Sequence, residues 1–155
     1  MQKPIRILFA SAALLLAAAP AQSAPQADAP YTVVETGRVY ERLQDAVNAI
    51  GNGTGTIRFG NYRFADCAVQ TGGDILYTAA QPGEAVLDGV ACEGKAALVL
   101  RGRNARVEGL IFANIHVPDK NGAGIRLEHG DLSISQSWFR DSEQGILTVN
   151  GERGT

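Results

Sequence analysis

The chain has 155 residues, 45% hydrophobic and 19% charged, with a formal net charge of -2. That length gives one domain of ordinary size, and that composition supports a packed core rather than a disordered chain. With no Lys/Arg cluster and a net negative charge, nucleic acid is excluded as a partner class.

Lys3 and Arg6 precede an apolar run, Ile7 to Ala19, and a small-residue stretch, Pro20 to Ala24. A positive start, an apolar middle and a small-residue end form a secretory signal peptide, and the run is too short to span a bilayer permanently. The expected boundaries are a signal peptide over 1–23, with cleavage after Ala21 as the alternative, and a Pro/Ala-rich lead over 24–39. Cleavage removes two of the 14 basic groups and none of the 16 acidic ones, leaving 12 against 16 and a net charge of -4. The expected location is secreted or periplasmic.

From Tyr40 to Ile50 the apolar residues Leu43, Ala46, Val47 and Ile50 recur at helical spacing, which predicts an amphipathic helix over 40–50 ended by Gly51. Beyond it, short β-rich runs alternate with Gly, Asn and Asp. They cover Thr56 to Phe59, Ala97 to Leu100, Ala105 to Phe112, Gly124 to Leu127, Leu132 to Ile134 and Gly145 to Val149.

These runs repeat. Val107 to Asn114 aligns with Ile134 to Asp141 at a spacing of 27, and a second column passes through Leu98, Ile125 and Ile146. An earlier copy, Leu87 to Cys92, is placed a shorter interval before the first, with Leu87 aligned to Val107. A repeat of this size cannot bury its apolar face alone, so successive copies are expected to stack strand on strand as a parallel β-helix, with the helix covering one end.

Leu43-Gln44-Asp45-Ala46-Val47-Asn48-Ala49-Ile50, a Gly-rich turn and Thr56-Ile57-Arg58-Phe59-Gly60-Asn61-Tyr62 resemble the entry to a right-handed parallel β-helix of the pectin-lyase-like superfamily. Phe139 to Leu147 resembles that family's repeated unit. The resemblance covers about residues 40 to 155 and implies an all-β solenoid with an N-terminal capping helix. It also implies an exported protein that binds an acidic polysaccharide, with lyase-like processing left open. The alternative is a noncatalytic surface or structural module of adhesin type. Because the last strand ends near Val149 with nothing to close the stack, the chain is expected to be the front portion of a longer protein, with end-to-end self-association as the alternative.

Cys67 and Cys92 are separated by close to one repeat, which lets them face each other as a disulfide; a stacked reduced pair is the alternative. Abstraction of a proton beside a uronate carboxylate requires a cation and a base. The segment offering both is Asp119-Lys120-Asn121 with Arg126, Glu128 and His129. Lys120 and Arg126 are the candidate catalytic base or carboxylate clamp, and Asp119, Asn121, Glu128 and His129 the candidate substrate contacts. The competing reading pairs Arg101 with Glu128, one repeat further on, as an ordinary ion pair. Trp138, beside Ile111, reads as packing, and Asn114 and Asp141 read as turn residues. His116 and His129 stand at no ligand spacing, so no metal site is expected, and no motif supports Ca²⁺ as a cofactor.

Overall fold

The structure is a computed structural model that describes residues 29–149. The expected signal peptide and the residues after Val149 lie outside the described residues. In chain order the elements are β1 Tyr31–Val33, β2 Arg38–Tyr40, α1 Leu43–Ile50, β3 Thr54–Phe59, β4 Arg63–Phe64, β5 Ala68–Gln70, β6 Asp74–Ala79 and β7 Ala85–Asp88. They continue as β8 Ala96–Leu100, β9 Asn104–Glu108, β10 Leu110–Ala113, β11 Ala123–Leu127, β12 Asp131–Ser135, β13 Trp138–Arg140 and β14 Gln144–Thr148.

Period-two alternation decides which side chains go inward. In β6 the buried residues are Ile75, Tyr77 and Ala79, and in β9 they are Ala105 and Val107. From β3 onward each strand pairs in parallel with the strand three places along the chain, which produces three sheets. The first runs β12-β9-β6-β3-β1-β2, the second β13-β10-β7-β4 and the third β14-β11-β8-β5. Their inner residues share one core, in which Phe64, Leu87, Phe112 and Phe139 follow one another along the second sheet. The Phe112 and Phe139 rings stack with centroids 4.9 Å apart. Gly124 makes that stack fit: a Cβ there would lie 2.6 Å from Phe139 Cδ1 and 2.8 Å from Phe112 Cβ.

Helix α1 buries Leu43, Ala46 and Val47 and is capped from a distance. Arg42, at its N-cap, supplies no side-chain bond, and the Asp66 carboxylate accepts the Leu43 N–H at 2.7 Å instead. The Gln44 amide occupies the edge of the third sheet, donating to the Val69 carbonyl at 3.0 Å and accepting the Val69 N–H at 2.8 Å. One side chain thus does for β5 what a neighbouring strand would do.

The expected all-β solenoid, a right-handed parallel β-helix of the pectin-lyase-like superfamily, is corrected by this arrangement. The described residues form three small sheets of four to six strands with one short helix, about half of the residues lying in strands, and no solenoid is found. The reason lies in the segment read as a lead. Tyr31, Thr32 and Val33 are all buried, and β1 pairs antiparallel with both β2 and β3, so the largest sheet is mixed rather than uniformly parallel. The placing of Leu87 is corrected too: it pairs with Phe112, not with Val107. The other two alignments match the register, with Val107 opposite Ile134 and Ile125 opposite both Leu98 and Ile146.

Candidate functional site

On β11, Ile125 is fully buried in the main core, while Arg126 lies between Val99 and Leu147 in the register of the third sheet. Val99 belongs to a small separate cluster with Ala96 and Ala123, against which Cys92 and Leu147 pack. This is the outer side of the sheet, and the loop between β7 and β8 folds over it. Cys67 and Cys92 form a disulfide with Cα atoms 5.5 Å apart, which ties that loop to the start of β5.

Glu128, just past β11, gathers the charges. Its carboxylate accepts Lys95 Nζ at 2.8 Å and Arg101 Nε at 2.6 Å, and Arg126 Nε stands 3.8 Å away. Arg101 also bonds Glu93 through both terminal nitrogens, and Lys95 reaches Glu93 at 3.3 Å. Three cations therefore share two carboxylates. Arg101 and then Lys95 hold the Glu93 carboxyl down to about 2, while Lys95 followed by Arg101 holds Glu128 below the usual range. The same contacts push Lys95 and Arg101 up, Lys95 chiefly through Glu128 and Arg101 chiefly through Glu93. The expected pairing of Arg101 with Glu128 is present. Arg126 is the member left over: its Nε is buried and makes no hydrogen bond.

The other half of the predicted patch lies elsewhere. Asp119, Lys120 and Asn121 are exposed in the loop before β11, whereas Arg126 and Glu128 lie toward and beyond its end, roughly 16 Å of strand away. No side-chain hydrogen bond or ion pair joins Asp119, Lys120 or Asn121 to Arg126, Glu128 or His129 among the described residues. His129 is exposed and contributes a backbone N–H to the Leu100 carbonyl at 3.2 Å. Asn114 and Asp141 have φ of 57° and 52°, the left-handed turn geometry that short polar side chains tolerate.

The loop bearing Lys120 closes on Glu143, a residue that no pattern in the sequence singles out. Its Oε2 accepts the Gly122 N–H at 2.6 Å and the Val117 N–H at 3.1 Å, and His116 Nδ1 lies 3.8 Å from Oε1. The Gly122 N–H foremost, then Val117 and the charges of Lys120 and His116, hold the Glu143 carboxyl below the ordinary glutamate value of 4.5. A value depressed by folding means that the tether is present above 4.5 and lost as pH falls through the lower folded-state value. Amide-exchange protection of Val117 and Gly122 is therefore expected to drop on acidification below 4.5, and Glu143→Gln to abolish that step. Protection that stays flat through this range would show that other contacts hold the loop.

A second feature without a sequence signal is a cleft of about 310 Å³ beside the start of α1, lined in part by Tyr31, Glu41, Tyr62, Phe64 and Asp66. The Tyr31 hydroxyl is buried, and burial, then the Asp66 carboxylate beside it, pushes its phenol up so that it stays neutral. Asp66 is occupied by the Leu43 and Cys67 N–H groups, which makes it a structural carboxylate.

Among the described residues there is no group of three or more His, Cys, Asp or Glu side chains arranged to hold a metal ion, and no helix is long and apolar enough to cross a membrane. Comparison with known protein families, curated proteins and solved structures finds no match for this chain.

Proposed function

We propose that the protein is an exported, noncatalytic binding module for an acidic polysaccharide, whose carboxylates are received at Arg126. The observation that carries this reading is that the Arg126 side chain, 22% exposed, makes no side-chain hydrogen bond among the described residues, beside a Glu128 already taken by Lys95 and Arg101. A guanidinium so placed has donors left for a planar carboxylate, and two further cations neutralise the flanking glutamates. Catalysis is disfavoured by the same arrangement. Proton abstraction needs a cation and a base side by side, yet Lys120 is a strand's length from Arg126, and the neighbouring Glu128 is already engaged by Lys95 and Arg101. Export is supported by the 1–23 pattern and by the disulfide, which persists in oxidising compartments.

The test is calorimetric titration with polygalacturonate and with a neutral glucan. The acidic polymer alone is expected to bind, without formation of unsaturated product, and Arg126→Gln to weaken it roughly tenfold through loss of a charge-assisted contact. Equal affinity of the variant, with an unchanged melting temperature, would remove Arg126 from the site. A second reading, a structural module with no ligand, is favoured by the ties that Glu93 and Glu128 make across the loop and sheet. Absence of heat with either polymer would leave that reading in its place.

A further inference from the structure

We propose that the outer face of the second sheet carries a saccharide subsite of its own, a stacking platform formed by Trp138 with Arg140 as the partner for a uronate carboxylate. The inference rests on the acidic-polysaccharide reading above and extends it to a different face.

Register places Arg63, Val86, Ile111 and Trp138 in one row across four strands. With strands about 4.7–4.9 Å apart the row is roughly 14 Å long, the length of a short oligosaccharide. Val86 is buried within it, but Trp138 is 54% exposed, the most exposed large apolar side chain among the described residues. Packing therefore accounts for only part of the indole, contrary to the expectation from its neighbour Ile111. The part that packs is the six-membered ring, close to Gly83, where a Cβ would stand 3.4 Å from Trp138 Cζ3. Gly83 has φ of +85° and is pinned by a 2.8 Å bond from its N–H to the Gly109 carbonyl, so this seat is fixed. A held, half-open indole suits the apolar face of a pyranose, because it offers contact area at little further cost in conformational entropy.

Charge selects an acidic sugar over a neutral one. Asp88 is the carboxylate in the adjoining row, and it is engaged by Arg63 at 2.8 Å and by the Asn114 amide at 2.7 Å. Arg140, two residues beyond Trp138 and on the same side of the strand, is exposed and makes no side-chain hydrogen bond among the described residues. Its charge is felt by Asp88, but the two form no ion pair. The face thus presents one guanidinium with its donors unspent beside one aromatic ring, complementary to a ring sugar that bears a carboxylate.

Trp138 is the single tryptophan of the chain, so its emission reports this face alone. The experiment titrates the full chain with an oligogalacturonate, and with the same oligomer after reduction of its carboxyl groups, while following heat and tryptophan emission together. The acidic oligomer is expected to shift and quench the emission saturably, the reduced oligomer to do so only weakly, and Arg140→Gln to weaken the emission-detected affinity roughly fivefold. Heat without an emission change overturns the platform and leaves the Arg126 reading intact. An emission change that survives in Arg126→Gln supports the platform and tells against Arg126 as the principal contact. Neither heat nor an emission change overturns both.

Discussion

Replacing Gln70 with leucine is expected to cost about 3–5 kcal/mol of stability, although it puts an apolar residue into a buried position. In the third sheet Gln70 is in register with Leu100, which in turn faces Leu127, so leucine is the residue that hydrophobic patterning would choose. The amide does what leucine cannot. Its Nε2 lies 3.1 Å from the Gly72 carbonyl, 3.2 Å from that of Gly73 and 3.1 Å from that of Asn104, while its Oε1 accepts the Tyr77 hydroxyl at 3.0 Å. Tyr77 is fully buried, and burial pushes its phenol up, so it remains a neutral donor that needs an acceptor. Removing one partner strands the rest, and the penalty for a stranded buried group exceeds the net worth of the bond itself. Urea unfolding of Gln70→Leu, Tyr77→Phe and the double variant separates the parts. The double variant should be less destabilised than the sum of the singles, because the stranded hydroxyl is gone. A loss below about 1 kcal/mol for Gln70→Leu would mean that the carbonyls find other donors.

Removal of the disulfide, as Cys67→Ser with Cys92→Ser, is expected to lower stability by about 3 kcal/mol, the entropic worth of closing a loop of this size in the unfolded chain. The sequence separation of 25 defines the loop. Cys92 keeps its own hairpin contact, its N–H bonding the Ala96 carbonyl at 2.8 Å, so the local turn should survive. What loosens is the hold of the loop on the outer side of the third sheet, where Glu93 meets Arg101. The double variant and the reduced wild type should show the same fall in urea midpoint. Equal midpoints with and without reductant would show that the bridge adds nothing beyond the sheet contacts.

How far these features are legible in the sequence depends on spacing. Where strands recur at one interval, as with Val107 and Ile134 or Leu98 and Ile125, alignment of the sequence with itself finds the true partners. Where unlike strands share a residue pattern, it fails. Leu87 pairs with Phe112 rather than Val107, because Leu87-Asp88-Gly89 matches Val107-Glu108-Gly109 in residue type although β7 and β9 belong to different sheets. Strand β6 escapes notice because outward Leu76 sits between inward Ile75 and Tyr77 and blurs the alternation. The strands β1 and β2 merge into a supposed lead because three residues are too few to show a period. At the site, Glu128 with Arg101 follows from their spacing, whereas Glu143 does not, since its partners are backbone N–H groups that leave no trace in side-chain identity.

The Gln44 amide on the edge of β5 bears on how the chain reaches its folded state. With that edge occupied, the third sheet can gain strands in one direction only, toward β14. Every parallel partner lies no more than about 30 residues behind, as with Ala68 and Leu98, so each strand meets one already in place as the chain lengthens. Assembly can therefore keep pace with vectorial delivery from the N-terminus, on a ribosome or through a translocation pore, without waiting for the C-terminus.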